Sequence, residues 1–126
     1  MTIQNGLIRT AAVLQVSTRT MRPMIDFFVK QLGFKVGTEV GKGPKFATLD
    51  RDGQTIMLNC AFGPLNFRRE NGWAAYFWVN DIEKIYLEFV RSKAKLKGEI
   101  VEKPYECKEI VAIAPDGREI VFGQLI

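Results

Sequence analysis

The sequence has 126 residues, 47% of them hydrophobic and 25% charged, which is the balance of one folded domain with a sizeable core and excludes a disordered chain. Its net charge of +4 is spread along the chain, with Arg68-Arg69 and the Lys93, Lys95, Lys97 cluster the densest points, and this pattern excludes a nucleic-acid partner. No apolar run reaches a membrane span, Met1 to Thr10 lacks a signal-peptide core, and Cys60 and Cys107 make no disulfide framework; together these predict a cytoplasmic protein with free thiols and no membrane partner.

Arg9 to Ser17 is apolar and β-prone and reads as the first strand. Thr20 can cap a helix, and Pro23 is tolerable in its first turn. Ile25, Phe28, Val29 and Leu32 then recur at helical spacing until Gly33 ends the helix. Phe34 to Val40 is a strand, and Gly41 to Pro44 turns the chain. Lys45 to Leu49 and Thr55 to Cys60 form a hairpin whose Asp52-Gly53 pair suits a two-residue turn. Ala61 to Gly72, with Gly63, Pro64 and Asn71, is a connector.

The order then repeats. Trp73 to Val79 opens the second half as a strand. Asn80 with Glu83 predicts a capping box, and Ile82, Ile85, Tyr86, Phe89 and Val90 make an apolar helix face. Gly98 ends the helical region, Glu99 to Glu102 is a short strand, and Pro104 breaks it. Lys108 to Ile113 and Glu119 to Phe122 form a second hairpin, again with a tight turn at Asp116-Gly117. Gly53 and Gly117 stand half a chain apart, and the pairs Val16/Val79 and Gly33/Gly98 keep that register within a residue. The chain is a duplicated β-α-β-β-β unit, with repeats at 8–61 and 72–125 joined by 62–71. The fold class is α+β, with the two curved half-sheets predicted to form an open mixed barrel around a central cleft.

Several short motifs resemble the vicinal oxygen chelate superfamily, which includes glyoxalases, extradiol dioxygenases and bleomycin-resistance proteins. Phe27-Phe28 stands where that family has Phe-Tyr, and Leu32-Gly33-Phe34 matches its Leu-Gly-Phe. Val79-Asn80-Asp81-Ile82 resembles its Val-x-Asp at the start of the second helix. Pro115-Asp116-Gly117 with Phe122-Gly123 resembles its closing hairpin. In metal-dependent members, His, Gln or Glu ligands come from four equivalent strand positions facing the cleft. The resemblance carries these onto Ala11 or Val13, Met57, Ala74 and Val121. All are apolar, and the sequence contains no histidine, so the resemblance implies a member without the usual metal and without a cofactor.

Strand alternation gives the rest of the cleft. The ligand-equivalent phase carries Gln15 and Ser17, then Thr55, Met57 and Asn59, then Tyr76 and Trp78, and finally Glu119, Val121 and Gly123. The opposite phase, Leu14, Val16, Ile56, Leu58, Ala75, Phe77, Val79, Ile120 and Phe122, is apolar and belongs against the helices. Tyr76, Trp78, Met57 and Val121 are expected to share one cavity. Aromatic and amide groups together suit a flat, partly apolar organic ligand, although Tyr76 and Trp78 filling the interior is the plainer account. Phe67, Arg68 and Arg69 in the connector can reach over the cleft toward an anionic group, or simply be solvated.

Catalytic groups are sparse. Without histidine there is no Ser-His or Cys-His pair. Glu119 is the one carboxylate on the cleft phase and the sole candidate base, with solvation near its hairpin the plainer expectation. Cys60 falls on the core phase, and Cys107, near a strand start, is expected to be exposed. The residues therefore favour a metal-independent protein that sequesters a small organic molecule. The alternative implied by the resemblance is a lactoylglutathione-lyase-like enzyme or isomerase. The resemblance also implies a homodimer whose cleft includes residues of a second copy.

Overall fold

The computed structural model describes residues 8–60 and 72–126. Strands β1 Ala11–Val16, β2 Lys35–Val40, β3 Phe46–Arg51 and β4 Gln54–Cys60 form one sheet in the order β1-β4-β3-β2. Strands β5 Trp73–Trp78, β6 Val101–Lys103, β7 Cys107–Ile113 and β8 Glu119–Leu125 form a second in the order β5-β8-β7-β6. In each sheet the opening strand runs parallel to the last, and the other neighbours are antiparallel. The duplicated β-α-β-β-β order is therefore present. The α+β class and the open arrangement are present too: the two four-stranded sheets do not close into a barrel.

The helices fix which face of each sheet is inside. Helix α1, Met21–Asp26, continues into a wider π-helical turn over Phe27–Gln31, where the Leu32 N–H reaches back to the Phe27 carbonyl. That turn lets consecutive Phe27 and Phe28 both be buried, which a regular amphipathic stripe does not require. Thr20 stands at the N-cap, but its hydroxyl bonds Ser17 and not the helix. Helix α2, Ile82–Arg91, is capped by Asp81, which accepts from the Lys84 N–H at 3.1 Å. The predicted capping box at Asn80 is thus one residue early, because the aspartate has the extended backbone the cap needs. This helix ends at Ser92, not near Gly98, and Lys95 to Lys97 then pairs with β7.

The apolar phase read from alternation is the inner one. Leu14, Val16, Ile56, Leu58, Ile120 and Phe122 are buried in one cluster with Ile25, Phe28, Ile82 and Phe89 from the helices. Aromatic rings run through it from repeat to repeat: Phe28 to Phe34 at 5.4 Å, Phe34 to Phe77 at 5.6 Å, Phe77 to Phe122 at 5.4 Å and Phe122 to Phe89 at 4.9 Å. Polar contacts also cross the seam. Arg51 donates to both Glu88 oxygens, at 2.6 and 2.8 Å, and to the Leu32 carbonyl. The paired guanidinium holds the Glu88 carboxyl below its ordinary range. Arg118 donates to the Gln15 carbonyl at 2.7 Å, and Ser92 to that of Gln31 at 2.7 Å.

The two Asp-Gly hairpins differ. Asp52 and Gly53 both have positive φ, 50° and 75°, as a two-residue type I′ turn requires. At the second hairpin only Gly117 is left-handed, and the Ala114 N–H bonds the Arg118 carbonyl across a wider loop. Asp116 there accepts from both the backbone N–H and the guanidinium of Arg118, and the Gly117 N–H closes a turn on the Ala114 carbonyl. Three of the four sheet edges are irregular, while β1 pairs with β4 without a break. Strand β2 is exposed along its length and shifts register at Gly37. Strand β6 has three residues and stops before Pro104. Strand β5 carries an extra residue between Trp73 and Ala75. Among the described residues no helix is long and apolar enough to cross a membrane.

Candidate ligand-binding site

The outer face of the second sheet carries an aromatic ladder. Tyr76 and Trp78 take that face by alternation, as the sequence predicts, with ring centroids 4.8 Å apart. Trp73 should point the other way. The extra residue at Ala74 reverses its phase and brings its ring to 5.2 Å from Tyr76. Trp73 thus replaces Ala74, one of the positions named by the resemblance, on this face. Both tryptophans remain open, Trp73 53% exposed and Trp78 63%. Exposed rings of this size on a paired strand are surface kept free for contact.

Glu109 is the polar centre of the same face, and the sequence analysis missed it. It lies on β7 opposite Gly123 of β8, and is only 2% exposed. Both Tyr76, at 2.8 Å, and Tyr105, at 2.6 Å, donate their hydroxyls to its Oε2. Its Oε1 is buried and, among the described residues, accepts no hydrogen bond. Gly123 makes the Tyr76 contact possible, since a Cβ there would collide with the Tyr76 hydroxyl. Alternation applied to β7 as well would have found this acid among apolar neighbours.

The phenols report that arrangement. Burial first, and the bond to Glu109 second, push Tyr76 well above the ordinary tyrosine range. The bond to Glu109 pushes Tyr105 up to about 12. Both therefore ionise later in the folded chain than in the unfolded one. Their contribution to stability is complete below pH 10.0; that of Tyr105 is lost as the pH rises through about 12, and that of Tyr76 at higher pH still. In an ultraviolet titration, Glu109→Gln is expected to return Tyr105 toward 10.0 and Tyr76 only part of the way, because burial leads there. Unchanged late ionisation of Tyr105 in that variant would refute the assignment.

The other predicted residues are distributed as follows. Ala11, Val13 and Gln15 line the outer face of β1 and are exposed. Asn59 donates to Gln15 at 3.2 Å, and Met57 is half-buried between Thr55 and Asn59 on β4. Thr55 is buried, bonded to Arg9 and Asp50. Val121, opposite Tyr76 on β8, is buried. Glu119 is neither solvated nor free: Lys97 pairs with it at 3.0 Å, and its side chain is 16% exposed. Cys107 is buried, contrary to expectation, because its strand starts one residue earlier than predicted and its thiol turns to the Tyr105 carbonyl. Cys60 packs at the margin of the core. Phe67, Arg68 and Arg69 lie outside the described residues.

A groove of about 700 Å³, within the range of small-molecule sites, runs past Tyr76 and Trp78 between Arg51, Gln54, Asp81 and Lys84. Met57 and Val121 do not line it, so the expectation of one cavity shared with Tyr76 and Trp78 is not met within this groove. Gln54 of β4 reaches the groove, whereas Met57, further along the same strand, does not. The residues at the four implied metal positions, with Ala74 now inside a bulge, offer no nitrogen or hard oxygen donor and do not fit a divalent ion. Among the described residues no three His, Cys, Asp or Glu side chains gather in one place.

Comparison with known proteins agrees with this architecture. No curated protein matches the chain by sequence. Among solved structures, TnmS3, an antibiotic binding protein from Streptomyces sp. CB03234, superposes with a TM-score of 0.70 at 15% identity, covering 97% of this chain and 100% of its own. TioX from Micromonospora sp. ML1 gives 0.69 at 16% identity, covering 94% and 100%. Virulence protein STM3117 from Salmonella typhimurium gives 0.65 at 23% identity, covering 96% and 100%. These likenesses establish the fold. A sequence profile of one family matches residues 10–122, nearly the whole of both repeats. The chain belongs to the Glyoxalase/Bleomycin resistance protein/Dioxygenase superfamily.

Proposed function

We propose that this protein binds a small, planar, partly apolar organic molecule and sequesters it unchanged, without metal or cofactor. The observation that carries the reading is the open ladder of Trp73, Tyr76 and Trp78 on one strand. Stacking on such rings gives affinity with little loss of side-chain freedom. Antibiotic binding by the structural neighbour TnmS3 supports the same class of ligand. The protein acts in the cytoplasm as a homodimer. A second copy covers the open face and contributes Gln15, Met57 and Asn59 from its first sheet, with Phe67 and Arg68 of the connector at the rim. Glu119 supports the lining through Lys97 and does not act as a base.

The lyase alternative needs a Lewis acid or a free base at the cleft, and the apolar ligand-equivalent positions supply neither. Native mass spectrometry of freshly purified protein tests the reading by looking for a co-purifying organic mass. Trp78→Ala is expected to weaken a planar probe such as acridone by about 1–3 kcal/mol, the scale of burying one large apolar side chain. Because Trp78 is 63% exposed, its melting temperature should barely move. Unchanged acridone affinity in Trp78→Ala would refute the site. Chelator-sensitive isomerisation of the methylglyoxal–glutathione hemithioacetal would establish the lyase in its place.

A further inference from the structure

We propose that the molecule taken by the aromatic ladder carries a cationic nitrogen, and that Glu109 recognises it. The inference rests on the binding function proposed above and names the ligand class. Glu109 is 2% exposed, and among the described residues its Oε1 has no donor. Its Oε2 is satisfied by two neutral hydroxyls, Tyr76 and Tyr105. Among the described residues no lysine or arginine pairs with it. A buried carboxylate held only by neutral donors is costly, and an unfilled acceptor beside it adds to that cost.

A neutral donor such as an amide would fill Oε1 and leave the charge uncompensated. A protonated amine or an amidine does both, through a charge-assisted hydrogen bond. The rings favour the same choice, since a cation is attracted to aromatic faces. Tyr76 joins the two halves of the site. Its ring sits between Trp73 and Trp78, at 5.2 and 4.8 Å, while its hydroxyl touches Glu109. The late ionisation of both tyrosines means that their protons stay on the phenols, which remain donors to the acid. Tyr105, half exposed in the turn before β7, carries the contact with Glu109 out to the surface.

The test compares two planar probes by quenching of tryptophan fluorescence in the full chain. Proflavine is cationic, and acridone is its uncharged counterpart. Proflavine is expected to bind at least about tenfold tighter than acridone. Glu109→Gln should abolish that preference by lowering proflavine affinity toward that of acridone, with folding checked by thermal melting. Tyr105→Phe removes one neutralising donor from the carboxylate and should tighten proflavine by roughly two- to fivefold. This second variant keeps the test decisive if Glu109→Gln does not fold. Equal binding of the two probes, undiminished proflavine binding by Glu109→Gln, or weaker proflavine binding by Tyr105→Phe overturns the cation assignment and leaves the ladder as a site. Failure of both probes to bind overturns the ladder and the assignment together.

Discussion

Phe122→Ala is expected to lower the free energy of unfolding by about 3–5 kcal/mol, the largest effect of any single change discussed for this protein. The ring is 4% exposed, stacks on Phe77 at 5.4 Å and meets Phe89 edge-on at 4.9 Å. Its removal opens a cavity where the strand of one repeat, the second helix and the aromatic path from Phe34 all meet. Partial collapse cannot refill it, because sheet and helix are both fixed by their own hydrogen bonds. Chemical denaturation monitored by circular dichroism measures the loss. A domain of this size has only about 5–15 kcal/mol to lose, so the variant will be marginal. A loss below about 1 kcal/mol would mean that the shared aromatic core is not what holds the repeats. Phe77 sits at the margin of that core, half-buried, so its truncation should cost less.

Gly123→Ala is expected to cost about 1–3 kcal/mol, for a reason unrelated to glycine's backbone freedom. The new methyl group would occupy the place of the Tyr76 hydroxyl. Tyr76 must then leave, and Glu109 keeps only Tyr105 as donor. The penalty is that of stripping one donor from a buried carboxylate. Tyr76→Ala removes the obstacle, so the glycine change should be nearly neutral in that background. A double-mutant cycle reads the difference directly. Additive costs would show that Gly123 and Tyr76 act independently and would remove the proposed path between ladder and acid.

The sequence exposed much of this because strands and helices obey fixed periods. Leu14, Val16, Ile56, Leu58, Ile120 and Phe122 were assigned inward by alternation alone, and they are inside. The duplicated order was legible from the spacing of glycines and valines. What escaped was local. A bulge has no period, so Ala74 was put on the ladder face and Trp73 was overlooked. The cap of α2 went to Asn80, although the neighbouring Asp81 accepts the bond, because both residue types cap helices equally well. Identical Asp-Gly pairs gave different turns, and at the second Asp116 bonds Arg118. Glu109 was missed because alternation was followed on the strands of the implied metal positions and not on β7. How the two sheets pack was invisible, since no local pattern sets how two repeats meet.

The irregular strands at the sheet margins bear on how this protein behaves when crowded. A regular outer strand is an invitation to another chain, whose backbone can simply continue the ladder. Here β2 breaks its own pairing at Gly37 and flanks the break with Lys35 and Glu39. Strand β6 is three residues long and runs into a proline, and β5 is interrupted after Trp73. None of these three offers an unbroken run on which a foreign strand could crystallise into fibrous growth. Both edges of the sheet that carries the open rings, β5 and β6, are thus blunted, so those rings do not seed endless strand-by-strand addition there.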